Sequence, residues 1–166
     1  MEKRALFALA VLILSISLAV AKGQKLVELR IEIDVDCPVE LVMLDGAGTL
    51  VAYARSSEKS VGALIEPGVY YLYLESKCRG ELLSWYSRVA LEGDANLSAH
   101  LRPLEDLGRV RVALGARASK VIVKTPTGAE ISEVEGPVED VEVPEIPVFL
   151  EVWRAERGPS EPTTLV

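Results

Sequence analysis

The chain has 166 residues, with 25 acidic and 18 basic side chains, one histidine and a formal charge of −7. That acidity sets it against nucleic-acid backbones and anionic lipid surfaces, so neither is expected as a partner. A hydrophobic fraction of 49% supports a packed core and argues against a disordered chain.

The first predicted element is an export signal. Glu2-Lys3-Arg4 supplies a charged start, residues 5–21 carry no charge, and Ala19-Val20-Ala21 has the small-x-small form that signal peptidases cut after. A retained membrane anchor is the competing reading, because an apolar run of this length lies at the lower edge of what spans a bilayer. On either reading the chain from Lys22 onward faces the outside, secreted or at the cell surface. It meets the membrane only through this segment, if it stays uncleaved. Setting aside Glu2, Lys3 and Arg4 leaves 24 acids and 16 bases, a charge of −8. One Asn, one Gln and two Met against 26% charged residues is the bias of proteins from hot environments.

Residues 27–36 alternate apolar and charged side chains without a break, a period of two that predicts a half-buried strand. Further strands are predicted over 39–44, 49–55, 60–65, 69–76, 82–91 and 95–102. They are punctuated by the turn sequences Asp45-Gly46-Ala47-Gly48, Glu66-Pro67-Gly68, Arg79-Gly80 and Glu92-Gly93-Asp94. Pro103-Leu104-Glu105-Asp106-Leu107-Gly108 reads as a linker, and a second series follows over 109–114, 120–124, 129–134, 138–143 and 148–153. No sustained 3.6 period appears after the leader. Many short strands at close spacing predict an all-β chain of antiparallel β-sandwich modules after an N-terminal signal helix.

The second series matches the first in outline. Leu29-Arg30-Ile31-Glu32-Ile33 sits over Val110-Arg111-Val112-Ala113-Leu114, Glu40-Leu41-Val42-Met43 over Lys120-Val121-Ile122-Val123, and Tyr71-Leu72-Tyr73-Leu74 over Phe149-Leu150-Glu151-Val152. This predicts two tandem modules, 25–103 and a smaller sandwich 109–156, after the leader 1–21 and before a flexible tail 157–166. The second series lacks counterparts to the last two strands of the first. It therefore either joins the first module in one larger sandwich or leaves an edge open, and an open edge invites pairing with a neighbouring subunit.

Cys37 and Cys78 are the only cysteines, and an even pair in an exported chain predicts a disulfide, with two buried thiols as the alternative. Two cysteines and one histidine make no zinc site. Glu32, Asp34 and Asp36 on one strand, and the turn Glu92-Gly93-Asp94-Ala95-Asn96, are the only oxygen-rich candidates for calcium. Strand carboxylates two apart project in parallel and suit a solvated face better than an ion. No metal and no cofactor is expected. His100 falls on the polar face of its strand with Asn96, Ser98 and Arg102, and no carboxylate nearby in sequence would orient it toward Ser98, so no catalytic residue is assigned. Asn96-Leu97-Ser98 is an N-glycosylation sequon.

Tyr53, Tyr70, Tyr71, Tyr73, Trp85 and Tyr86 place six of the mature chain's eight aromatics in the first module. Tyr71, Tyr73 and Trp85 are the candidates for a ligand-binding strip. The competing reading is a strand buried on both faces by the sandwich and its neighbour.

Gly48-Thr49-Leu50-Val51 followed by Glu66-Pro67-Gly68-Val69-Tyr70-Tyr71-Leu72-Tyr73-Leu74 resembles a recurring feature of secreted prealbumin-like and immunoglobulin-like modules. These include the carboxypeptidase-regulatory, PEGA and bacterial pre-peptidase types, in which a Pro-Gly-x-Tyr turn feeds a core strand. The second series has Pro144-Glu145-Ile146-Pro147 at that place. The resemblance implies an accessory binding or spacer module rather than a catalyst. Together these readings point to a non-enzymatic exported protein with a structural or adhesive role. Its expected partners are its own copies or other surface proteins, with carbohydrate binding as the alternative.

Overall fold

The computed structural model describes residues 25–154 and the backbone of 158–159 and 163–165. The leader expected over 1–21 lies outside the described residues. The chain folds into thirteen described strands and one 3-10 turn, Leu104–Asp106. The strands are β1 Val27–Ile33, β2 Val39–Leu44, β3 Leu50–Ser56, β4 Ser60–Ile65, β5 Gly68–Cys78, β6 Glu81–Leu91, β7 Ala95–Ala99, β8 Arg102–Pro103, β9 Arg109–Lys124, β10 Glu130–Pro144, β11 Val148–Arg154, β12 Gly158–Pro159 and β13 Thr163–Leu165.

They form three sheets. The first has the order β4-β1-β7, the middle sheet β3-β2-β5-β6-β8, and the third β10-β9-β11-β12, with β13 also on β11. Among the described pairings all are antiparallel except β1 with β7. The charged alternation of β1 makes it the centre of the first sheet. Val27, Leu29, Ile31 and Ile33 point inward and Glu28, Arg30 and Glu32 outward.

Two cores result. The first lies between the first and middle sheets and holds Leu29, Ile31, Leu41, Met43, Leu72 and Leu74, each fully buried. The second lies on the other face of the middle sheet, where Val42, Leu44 and Tyr73 meet Val121, Val123, Val141, Val143, Val148 and Leu150 of the third. β2 and β5 are therefore apolar on both faces because both faces are covered, as parallel-sheet strands are for the same reason.

Residues 109–154 thus make one sheet and not the sandwich expected there. Three strands have a single apolar face, and the outer face of the middle sheet, with Tyr71, Tyr73 and Tyr86, supplies its cover. The four strands expected within 109–143 are two long ones. Gly115 at φ +67° and Gly136 at φ +109° adopt the left-handed region inside continuous β9 and β10, beside register shifts, so they bend the ribbon at the gaps left between the expected strands. For the same reason the internal match is incomplete. Val110–Leu114 and Lys120–Val123 share one strand, whereas their counterparts sit in different sheets. In the tail, Thr163–Leu165 pairs with Val148–Leu150 and Gly158–Pro159 with Trp153–Arg154, so this segment adds strands to the third sheet's edge.

Candidate functional site

Cys37 and Cys78 form a disulfide with a Cα–Cα distance of 5.6 Å. β2 and β5 pair so that Val39 faces Ser76. Carrying that antiparallel register two residues further sets Cys37 opposite Cys78. The bond therefore fastens the end of two central strands, alongside the hydrogen bond from Ser76 Oγ to the carbonyl of Pro38 at 2.9 Å.

The three aromatics nominated for ligand contact make no exposed strip. Tyr73 is fully buried in the second core, and its hydroxyl donates to Glu75 Oε2 at 2.8 Å. Burial, and then the Glu75 charge, push that hydroxyl far above the ordinary tyrosine range, so it stays protonated. Tyr71 stacks on Tyr86, with ring centroids 6.2 Å apart and planes within 7°, and both pack against the third sheet. Trp85 lies opposite Leu74 and packs against the first core. Tyr70 is buried too, its hydroxyl returning to the Glu66 carbonyl at 2.9 Å and closing the Pro67-Gly68 turn.

A polar cluster links the middle and third sheets. The register aligns Arg55, Glu40, Glu75 and Ser84 in a row across β3, β2, β5 and β6 on the face turned to the third sheet. Glu75 is buried, and Oε1 accepts from Thr127 Oγ1 at 2.6 Å. Thr127 has one hydroxyl proton and gives it to Glu75, so the 2.8 Å contact with Thr125 must be donated by Thr125. Thr125 in turn accepts from the Ala129 amide at 3.1 Å. The chain of donors runs from backbone to carboxylate, and every hydroxyl in it has a defined direction. This arrangement holds two layers together.

Three of the five carboxylates considered for calcium, Asp34, Asp36 and Asp94, each have a separate partner. Asp34 accepts from the Leu101 amide at 3.1 Å and contacts His100 Nδ1 at 2.9 Å; Asp36 pairs with Lys59 at 2.8 Å; Asp94 accepts from the Glu28 amide at 2.8 Å. Burial pushes the Asp34 carboxyl up, but the His100 and Leu101 hydrogen bonds outweigh it and hold it below the usual range. Among the described residues no three His, Cys, Asp or Glu side chains converge as a metal site. His100 is exposed at the end of β7, with Asp34 as its partner; the sequence separation of 66 hid that contact. Asn96 is exposed on β7, opposite Arg30 on the outer face of the first sheet.

The outer face of the third sheet is laced with ion pairs. They are Lys124 with Glu151, Lys120 with Glu133, and Arg117 with Glu139, at 2.7, 2.6 and 2.6 Å, and more loosely Arg111 with Asp140 and Glu142. β10, an edge strand, also carries Pro137 and the Gly136 bend, so three devices guard its edge against stray pairing.

One flank differs. The first and middle sheets end side by side in β4 and β3. Across these two strands the single charged residue is Arg55, which Glu40 faces at 3.7 Å. Leu50 (58% exposed), Val51 (41%), Tyr53 (42%) and Leu64 (49%) lie on them, half of the large exposed hydrophobics among the described residues. No described strand pairs with the far side of β3. The open apolar edge is therefore in the first unit, and not in the second series, where an open edge is one of the two expectations. Its sequence signal is Leu50-Val51-Ala52-Tyr53-Ala54, apolar on both faces where a solvated edge strand would alternate.

No family model matches the chain, and no curated protein matches it. Among solved structures the chain is similar to the Bacillus anthracis TIE protein, at 12% sequence identity and a TM-score of 0.34. That match covers 84% of this chain and 31% of the other, so the chain spans less than a third of that protein's length.

Proposed function

We propose that this chain is an exported, non-enzymatic structural protein of the cell surface, acting as a subunit or adhesive module of a surface assembly. The observation that carries this reading is the β3–β4 flank, a largely apolar edge free of carboxylates on an acidic protein. An exposed apolar edge without carboxylate or proline is a surface that something covers. The Cys37–Cys78 bond supports an oxidising compartment outside the cytoplasm, in keeping with the leader-like residues 1–21. The stack of three layers with filled cores suits a spacer or adhesive role, as does the resemblance of residues 48–74 to accessory modules. The ion-pair ladder on the third sheet and the scarcity of Asn, Gln and Met fit a hot habitat.

Carbohydrate binding through Tyr71, Tyr73 or Trp85 has less support, since Tyr73 is buried and the other two are packed into the cores. Protease shaving of intact native cells tests the main reading. Peptides from the chain should be released into the medium. Recovery of the protein solely from the cytoplasmic fraction, with both thiols reduced, would sink it.

A further inference from the structure

We propose that Asn96 is an N-glycosylation site, carrying an oligosaccharide on the outer face of the first sheet. The proposal rests on the reading of the chain as exported, and adds a covalent modification to its outward surface.

Asn96 is the one asparagine in the chain, and Asn96-Leu97-Ser98 places it in a sequon. Serine and threonine together fill 17 of the 166 positions. An asparagine placed without regard to glycosylation would meet one of them two residues on about one time in ten. A composition that otherwise thins out thermolabile amides has kept this one. It has kept it inside β7, although asparagine is disfavoured in strands because its side chain competes for the backbone.

Nothing in the fold asks for that amide. The turn before β7 is fixed by Asp94, whose carboxylate accepts from the Glu28 amide at 2.8 Å. Among the described residues neither the Asn96 amide nor the Ser98 hydroxyl has a side-chain hydrogen bond. A residue that goes against local preference and stabilises nothing is expected where function holds it. The strand also presents the sequon well. Asn96 and Ser98 are both exposed, and Leu97 between them turns inward against the first core. Across the sheet, Gly62, Arg30 and Asn96 form one row and Ser60, Glu32 and Ser98 the next. Both rows are small or polar, so sugar lying over them buries no large apolar side chain.

A glycan here has a structural use. No described strand pairs with the far side of β7, and Ala95–Ala99 carries no charge, no proline and no register shift. A bulky, hydrophilic substituent on its outer face keeps other strands from adding there. The transfer joins Asn96 Nδ2 to the anomeric carbon of an oligosaccharide carried on a polyisoprenoid phosphate lipid, the co-substrate of a membrane-bound transferase. The bond from that carbon to the phosphate oxygen breaks, and the lipid phosphate leaves with the bonding pair. Nδ2 gives up one proton to solvent, and nothing is oxidised or reduced.

Peptide mass spectrometry of the protein purified from native cells tests the site. Trypsin cuts after Arg88 and Arg109 and spares Arg102-Pro103, so one peptide, 89–109, holds the sequon. That peptide should be heavier than its sequence by a whole number of sugar residues, and fragmentation should place them on Asn96. Asn96→Gln and Ser98→Ala, expressed in the same cells, should each lose the increment, whereas Ser98→Thr, which keeps the hydroxyl, should retain it. All three changes lie at exposed positions, and a closed Cys37–Cys78 bond in each shows that it has folded. An unmodified Asn96 in the native protein overturns the proposal, as does sugar found only on serine or threonine, or an increment that survives Asn96→Gln. A bare Asn96 on protein released by shaving intact cells would refute the glycan and leave the surface role standing. A glycosylated Asn96 on protein that shaving does not release would uphold the glycan and sink the surface role.

Discussion

Thr127, in the turn between β9 and β10, donates a 2.6 Å hydrogen bond to Glu75 on β5. It is a directional contact between the third sheet and the middle one. Most of that interface is apolar and non-directional, so this contact helps to set where the third sheet sits.

Thr127→Val keeps the shape and removes the bond, and should cost about 1–2 kcal/mol in chemical denaturation. Glu75→Ala should cost more, about 2–3 kcal/mol, because it also leaves the fully buried Tyr73 hydroxyl without its acceptor. The double variant should be less destabilised than the sum, with a coupling of about 0.5 kcal/mol or more. Strict additivity would show that the two side chains do not act on each other.

Replacing both cysteines by serine should lower stability by about 4 kcal/mol in the chain-entropy account, because the bond spans 41 residues. The loss should appear at the β2–β5 end first, as faster amide exchange around Val39 and Ser76. Thiol titration of the unfolded native protein without reductant should find no free thiol; a free pair there would contradict the bond.

Much of the strand order was legible. The alternation of β1, the boundaries of β2 and β4, and the cysteine pair all follow from local pattern and composition, which act through side-chain period and compartment. The layering was legible in part. The strand around Tyr71–Leu74, apolar on both faces, offered the reading of cover by a neighbour on each side, but that the neighbour would be a single sheet over Val42, Leu44 and Tyr73 follows from the third sheet's own need for cover. Gly115 and Gly136 read as breaks because glycine serves both turns and bulges, and long-range pairing decides between the two. Asp34 with His100, and Glu75 with Thr127, are contacts 66 and 52 residues apart that no local spacing announces. The β3 edge left its mark in a run apolar on both faces. The mark was readable, but which strand would flank β3 was set by topology.

Gly62 on β4 lies where a Cβ would run into the Leu29 carbonyl and the backbone of Arg30 on β1. Backbone on both sides leaves nothing flexible to yield, so Gly62→Ala should push β4 off β1 and cost about 1–3 kcal/mol. Leu64→Ala two residues on, at an exposed position, should be nearly neutral and serves as the control. If the alanine at 62 proves as harmless as the one at 64, the tight β1–β4 approach is wrong.

Asp34 gives stability a defined acid limb. Its carboxyl is held below its ordinary value when folded, by the His100 ring and the Leu101 amide working against partial burial. A group with a depressed folded pKa binds fewer protons folded than unfolded, so its contribution is complete above the unfolded value near 4. That contribution falls away as pH drops through the lowered folded value. Asp34→Asn should therefore be less stable than the native protein at pH 7 and converge with it as pH falls below about 4. Guanidinium melts from pH 7 to pH 2 would check this, and parallel curves for the two proteins would remove Asp34 from the account. His100→Ala should reproduce part of the effect, leaving the share due to the Leu101 amide, which is positioned by backbone and survives the substitution.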